Sequence, residues 1–266
     1  MNIKIHVRSV INLLNLIKLE IRKVFKPVIA MLIFTMIIFV CIVIKMENEY
    51  YVQHSFEFWN VAIDYIAIIF PILAVCPTCW VMYYERKNNF LLYTFPRVSK
   101  KNYIFSKLIV CVLSAFLIIF IPMLIGGVIS LSFLDNVHAP KPYEPMFYSN
   151  LFMPDFLINH TYLYIFIHCL WNGFLAMIVA TMGFVFSIYL NNIFVILTGP
   201  FIYITLDNFV MAALGFHKQR FISSFYVNGM TDTNIFNLLI PPIISILLII
   251  ILVAIFKLKK VKVYNV

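Results

Sequence analysis

The sequence predicts an all-α polytopic membrane protein with six transmembrane helices, an interfacial amphipathic N-terminal helix and both termini in the cytoplasm. Of the 266 residues, 63% are hydrophobic and only 12% are charged, whereas a soluble domain carries roughly 25% charged residues. Six apolar runs are long enough to cross a hydrocarbon core of about 30 Å. No charge-rich block is long enough to be a soluble domain, so the rest must be loops, tails and short surface helices.

The apolar runs define the predicted elements in order. The spans are 27–44, 59–84, 108–133, 161–190, 193–216 and 235–256. In residues 1–26, seven apolar side chains fall within about a third of a helical turn, although Ile11, Leu16 and Leu19 lie on the more polar side. The seven are Val10, Leu13, Leu14, Ile17, Ile21, Val24 and Phe25. This pattern predicts an amphipathic helix in the cytoplasmic interface that turns into the first span at Pro27. An ordinary basic flank of the first span is the alternative.

The distribution of Lys and Arg predicts the orientation. Six lie in residues 1–26, six in 85–107 and four in the tail 257–266, against four in the segments on the other face. The basic face is expected to be cytoplasmic, and an even number of spans then places both termini inside. The net charge of +9 describes a rim that can meet anionic lipid. Nucleic-acid binding is not expected, because it needs a basic patch on a folded domain.

The segment between the second and third spans is too apolar for a plain loop. Glu85–Phe95 has room for about three helical turns, and Pro96 ends that helix. Ser99 is placed to cap the next helix. The apolar residues from Phe90 to Phe95 would cost free energy in water, so they need lipid or a protein groove. A basic loop that only sets the topology, with no partner, is the alternative.

The architecture and this segment together resemble the permease subunits of type-2 ABC exporters, which have a coupling helix between the second and third spans. The residues that match the family's pattern are Glu85-Arg86, Leu91-Leu92, Thr94, Pro96, Ser99-Lys100 and Lys107. Asn88-Asn89 stand where that pattern has a Gly-Thr step, and Phe95 separates Thr94 from Pro96. The resemblance covers nearly the whole chain by architecture and about 25 residues by motif.

The resemblance implies a transport subunit, not an enzyme, that works with a separate ATPase subunit and with a second permease copy or a related permease. ATP and Mg²⁺ would bind the partner ATPase, and this chain would hold no cofactor or metal. Coupling to the ATPase would involve Glu85, Arg86, Lys87, Asn89, Phe90, Leu91, Leu92 and Phe95. None of the seven glycines precedes a Lys-Ser or Lys-Thr pair, so the chain has no phosphate-binding P-loop.

The short exterior loops leave no room for a soluble capture domain, so the expected cargo is hydrophobic or amphipathic: a peptide, a lipid or a drug. The expected location is the plasma membrane of a bacterium. Asp64 and Asp207 are carboxylates inside spans, and such residues are candidate functional sites. In the resembled family, spans two and five line the route between permeases, so both acids are predicted near it. A structural hydrogen bond to a nearby Tyr or Asn, such as Asn60 or Asn208, is the alternative.

Two other motifs suggest chemistry and have plainer explanations. Cys76-Pro77-Thr78-Cys79 has redox spacing, but a reactive thiolate needs an exposed helix N-terminus, so a proline kink relieved by Thr78 is predicted. His168 and Asn172 have the HxxxN spacing of intramembrane CAAX-type proteases, but the paired glutamates of that family are missing. A satisfied histidine is the simpler interpretation. An intramembrane protease and a non-catalytic membrane sensor or scaffold remain the alternatives to a permease.

Overall fold

The computed structural model describes residues 2–49, 52, 54–94, 98–133, 151–229 and 234–258; in the first helix the side chains are described from Leu13 to Glu47. Every regular element in these ranges is helical. Six helical stretches are long and apolar enough to cross a membrane: Leu13–Glu47, Phe56–Lys87, Lys100–Phe133, Thr161–Tyr189, Ile193–Ala213 and Ile235–Leu258. The prediction of an all-α chain with six apolar spans is therefore confirmed.

The described helices are numbered along the chain, and two further segments form single 3₁₀ turns. The helices are α1 Asn2–Glu49, α2 Phe56–Val75, α3 Cys79–Lys87, α4 Phe90–Thr94, α5 Lys100–Phe133, α6 Pro154–Asn159, α7 Thr161–Tyr189, α8 Ile193–Ala213, α9 Phe221–Phe225 and α10 Ile235–Leu258. The 3₁₀ turns are His217–Gln219 and Val227–Gly229. The tail that was predicted from residue 257 lies mostly outside the described residues.

The first helix corrects the prediction of a turn at Pro27, because α1 is continuous through that residue. A proline removes one helical hydrogen bond, but the helix continues on both sides of it. Glu20 and Val24 are buried against the bundle, so this part of α1 packs on the other helices. Leu14 and Phe25, from the predicted apolar face, are exposed on the surface of the chain.

The second span is broken where the kink was predicted. The helix stops at Val75, Cys76–Thr78 form a turn, and α3 begins at Cys79. The Thr78 hydroxyl lies 3.1 Å from the Cys111 Sγ of α5, so its side chain does not restore a freed backbone group as the sequence had suggested. Val75 and Cys79, on either side of the break, are completely buried, so the core is closed there.

The core forms around α2, which packs against α1, α5, α7 and α8. Phe58, Trp59 and Phe70 of α2 are completely buried, and the Trp59 indole donates to the Met123 carbonyl of α5 at 2.8 Å. The other side of α2 exposes mostly apolar residues, so both sides of the helix are apolar and the span reads as one continuous apolar run. The outer faces of α1, α8 and α10 expose large apolar side chains, as expected of surfaces in contact with lipid.

Candidate functional site

The end of the bundle where α3 stops and α5 starts carries four charged side chains and a tyrosine, here called the charge cluster: Glu20, Lys23, Glu85, Tyr103 and Lys107. The Lys107 Nζ lies 2.6 Å from Glu20 Oε2 and 2.7 Å from Glu85 Oε2. The Lys23 Nζ lies 2.9 Å from Glu20 Oε1 and 3.2 Å from Glu85 Oε1. The Tyr103 hydroxyl donates to Glu85 Oε2 at 2.7 Å. Two cations and two anions thus balance and join α1, α3 and α5.

The charged groups of the cluster are largely buried, so their pairing affects the stability of the fold. Glu20 and Lys107 are only 3% and 5% exposed, and removing an ion from water costs several kcal/mol unless a partner compensates. Removing one partner of a buried pair leaves the other charge uncompensated, at a cost of about 3–5 kcal/mol. The cluster therefore joins three helices, although it need not add net stability.

Arg86, next to Glu85, contacts a fourth helix. Its guanidinium donates hydrogen bonds to the carbonyl oxygens of Ile188 and Leu190, where α7 ends. The last carbonyls of a helix have no partner within the helix, and a cation is favourable at that end of the helix dipole. Glu85 and Arg86 together connect the end of α3 to α1, α5 and α7.

The predicted helix from Glu85 to Phe95 forms as two separate pieces. Residues 85–87 finish α3, and Asn89 then adopts a positive φ of 54°, a conformation that Asn tolerates better than most residues. The chain reverses there into the single turn α4. Phe95 and Pro96 lie outside the described residues. The cap predicted at Ser99 is confirmed, because its hydroxyl accepts from the Asn102 amide at 3.4 Å and α5 begins at Lys100.

The predicted coupling residues separate into an inward and an outward set. The inward set is Glu85, Arg86 and Leu91, and the Leu91 side chain is 1% exposed. The outward set, together with the neighbouring Tyr93, is called the α4 surface: Lys87, Asn89, Phe90, Leu92 and Tyr93, all exposed. Two of the predicted charges are therefore used within the chain, while a mixed apolar and polar surface is presented outward. The sequence did not distinguish these two sets.

The two intramembrane acids differ in their surroundings. The Asp207 carboxylate accepts from the backbone amide of Phe221, the first residue of α9, at 2.8 Å, so the structural alternative to a pathway role has direct support. Asp64 lies on the exposed surface of α2. It is near Tyr226, whose pKa rises to about 12, mainly because of burial and also because of the Asp64 charge. Both acids thus lie beside the connection between α8 and α10.

The two motifs with possible chemistry are both buried. The Asn172 amide nitrogen lies 3.3 Å from His168 Nδ1, so the HxxxN spacing does bring the two side chains together. The His168 Nε2 and Asn172 Oδ1 are buried and make no hydrogen bond within the described part of the chain, which contradicts the prediction of a satisfied histidine. Cys79 is buried against Cys111, 3.6 Å between sulfur atoms. Among the described residues, no group of three potential metal ligands occurs.

Four members of the charge cluster were not predicted as site residues: Glu20, Lys23, Tyr103 and Lys107, although Lys107 is among the residues that match the family's pattern. A signal for Glu20 was available, because it is the only carboxylate in the first 46 residues and has basic neighbours. For Tyr103, the signal was its spacing of four from Lys107, which places both on one helical face.

Comparisons of the chain with protein-family models, with characterised proteins and with solved structures give no match.

Proposed function

We propose that this chain is the transmembrane permease subunit of an ATP-driven exporter, similar to those of type-2 ABC transporters, with ATP hydrolysis carried out by a separate subunit. It would work with a second permease copy or a related permease and move a hydrophobic or amphipathic cargo. The six apolar spans support a membrane-embedded transport role. The α4 surface carries the more specific part of the proposal.

The α4 surface has the properties of a docking site for a protein. Phe90, Leu92 and Tyr93 are 44%, 43% and 76% exposed, between two spans and at the end that contains the charge cluster. Exposed aromatic side chains with a neighbouring cation are typical of the centres of protein interfaces. Lys23 lies 5.1 Å from the centre of the Phe90 ring, so α4 is held against α1 while its outer face stays accessible.

The contacts behind α4 provide a route for mechanical coupling. Leu91 anchors α4 in the core, and the preceding Glu85 and Arg86 contact three other long helices through the charge cluster and the end of α7. A displacement of α4 by a closing ATPase would therefore move α1, α5 and α7 together. Buried charge pairs resist separation, so they would transmit such a push without local unfolding.

The proposal is tested by affinity purification of the tagged chain from its native host in mild detergent, followed by labelling with a photoreactive ATP analogue. We expect an ATP-binding subunit to co-purify with the unaltered chain. The double variant Phe90→Asp, Leu92→Asp should recover at least about tenfold less of it, because loss of interface anchors typically costs 2 kcal/mol or more. The matched control is Phe194→Asp, an exposed aromatic side chain at the start of α8 on the same end.

Equal recovery of the ATP-binding subunit with the double variant and with Phe194→Asp would contradict a role for the α4 surface. Recovery of no ATP-binding subunit with the unaltered chain would contradict the permease proposal itself. Thermal stability of each variant, measured alongside, separates loss of docking from loss of the fold.

A further inference from the structure

The two carboxylates inside apolar spans differ in whether the chain itself satisfies them. Asp207 accepts from the Phe221 amide at 2.8 Å and is also stabilised by the nearby positive charge of Arg220. Asp64, on α2, has neither a hydrogen bond nor an ion pair with any residue that the structure describes. It is exposed on the surface of the bundle, so a molecule outside the chain can reach its carboxylate.

Asp64 lies inside the span and has apolar neighbours. It comes eight residues after Phe56, where α2 begins, which places it about 12 Å along the helix. Its side chain is short, so it cannot extend to the membrane surface as a lysine or arginine side chain does. The exposed residues beside it and one turn further on are Tyr65, Ile68 and Ile69. A carboxylate in these surroundings costs free energy unless a cation or hydrogen-bond donor pairs with it.

A cation for Asp64 has to come from outside this chain. Tyr226 is near enough for the Asp64 charge to raise its pKa, but its hydroxyl is neutral and already accepts from the Asn60 amide at 3.3 Å. The six apolar runs contain no Lys or Arg, and their one histidine, His168, is buried. A second copy of the chain therefore offers no cation from within its own spans, and the remaining source is a ligand.

We propose that the exposed face of α2 around Asp64, here called the α2 face (Asp64, Tyr65, Ile68 and Ile69), binds an amphipathic molecule whose polar end is a protonated amine. The ammonium group pairs with the Asp64 carboxylate, and a charge-assisted hydrogen bond of this kind is roughly twice as strong as a neutral one. The neighbouring Tyr65 ring adds an aromatic surface that attracts cations. The apolar part of the molecule lies along Ile68 and Ile69, which are 58% and 48% exposed.

The charge of Asp64 also determines which molecules the α2 face disfavours. An anionic amphiphile is repelled by the carboxylate, and a neutral one leaves the carboxylate charge unpaired in apolar surroundings. Binding to the α2 face does not depend on a partner ATPase. Only the step from ligand to cargo rests on the proposed function, and it narrows the expected hydrophobic or amphipathic cargo to molecules that carry a positive amine.

The test uses the full chain alone in phosphatidylcholine nanodiscs, with three photoreactive probes of equal chain length: a diazirine-bearing dodecylamine, the matching dodecanol and the matching dodecanoate. Cross-linked residues are mapped by mass spectrometry. For each probe, labelling of residues 61–72 is divided by labelling of the exposed α10 residues Ile240, Ile243 and Leu247, which corrects for the amount of probe in the bilayer. We expect this ratio to be on the order of tenfold higher for dodecylamine than for dodecanol, as one charge-assisted hydrogen bond can supply, and lowest for dodecanoate.

Three variants assign the preference to one carboxylate. Asp64→Asn keeps the size of the side chain and removes its charge, so it should lower the dodecylamine ratio to that of dodecanol. Asp207→Asn is the matched control, because it removes the intramembrane carboxylate whose partners lie within the chain, and it should leave the ratio unchanged. Asp64→Lys should reverse the order, so that dodecanoate gives the highest ratio. This gain of a new preference tests the α2 face independently of any loss of binding.

Equal ratios for dodecylamine and dodecanol in the unaltered chain would overturn the proposal and would mean that Asp64 is neutral or hydrated in the bilayer. An equal loss of the amine preference in Asp64→Asn and Asp207→Asn would overturn the assignment to Asp64. Because no ATPase is present in the nanodiscs, either failure leaves the permease proposal standing. Failure to co-purify an ATP-binding subunit would, in turn, leave binding at the α2 face standing.

Discussion

The charge cluster and the His168–Asn172 pair lie toward opposite ends of the same helix bundle, and their buried polar groups are satisfied to different degrees. In the charge cluster, two lysines and two glutamates pair within 3.2 Å, with a tyrosine hydroxyl completing the set. In the pair, His168 keeps one ring nitrogen and Asn172 its amide oxygen without a partner in the described residues. A completed network holds helices together, whereas a buried polar atom without a partner costs about 1–3 kcal/mol.

The two regions also lie at different positions along the helices. The cluster joins α1, α3 and α5 close behind the α4 surface, where the proposed ATPase would dock. The His168–Asn172 pair lies in the first half of α7, whereas Arg86 contacts the last carbonyl groups of the same helix.

The largest expected effect is at Lys107. The variant Lys107→Met leaves Glu20 and Glu85 competing for Lys23, so the free energy of unfolding should fall by about 3–5 kcal/mol. The measurement is denaturation in mixed micelles by titration with sodium dodecyl sulfate, followed by tryptophan fluorescence. The control Lys101→Met removes an exposed lysine from the same helix. A loss below about 1 kcal/mol for Lys107→Met would show that the cluster is not a junction.

The next effect is at Arg86. The variant Arg86→Met removes the charged hydrogen-bond donor from two carbonyl groups at the end of α7. It should lower the free energy of unfolding by about 1.5–3 kcal/mol. Lys87→Met is its neighbouring control, because Lys87 is exposed and exposed substitutions usually change stability by about 0.5 kcal/mol or less. The same titration measures both. Equal losses would mean that Arg86 contributes only as a surface charge.

A smaller effect is expected at His168, and it tests the contrast between the two regions directly. The variant His168→Leu removes Nε2, which has no partner in the described residues, together with Nδ1, which contacts the Asn172 amide. It approximately conserves volume, so stability should change by less than about 1.5 kcal/mol. The same denaturation experiment applies. A loss as large as that of Lys107→Met would mean that His168 is fully bonded in the folded protein, and the contrast between the two regions would collapse.

The smallest effect is expected at Asp207. Asparagine retains an oxygen that accepts from the Phe221 amide, so Asp207→Asn should change stability by less than about 0.5 kcal/mol, whereas Asp207→Ala should cost about 0.5–2 kcal/mol. Unfolding measurements on the pair compare the two. Unchanged stability in Asp207→Asn together with lost transport would revive the pathway role for this acid.

Several features of the fold could be predicted because they depend on local chemistry. Six apolar runs predicted the six spans, and Ser99 predicted the cap of α5. The motif at Cys76–Cys79 predicted an interruption of the second span. Each signal lies within a few residues of the structure that it specifies. The turn at Pro27 was wrong because packing of α1 on α5 outweighs one lost hydrogen bond.

The candidate site was harder to predict because its members are distant in sequence. Glu20 and Lys107 are 87 positions apart, and no local pattern connects them. Among the coupling residues, Leu91 faces inward, whereas Phe90 and Leu92 face outward. This division depends on how α4 lies against the bundle.

The sequence by itself determined that this chain is helical and membrane-embedded, because the hydrophobic effect acts on every residue and leaves a signal in composition and run length. Only the tertiary structure decided which charges are paired and which polar atom is not. Pairing requires atoms from different helices to come within about 3 Å of one another, and that distance is set by the packing of the whole bundle. For the same reason, Glu85 and Arg86 look like surface charges in the sequence and are internal connections in the fold.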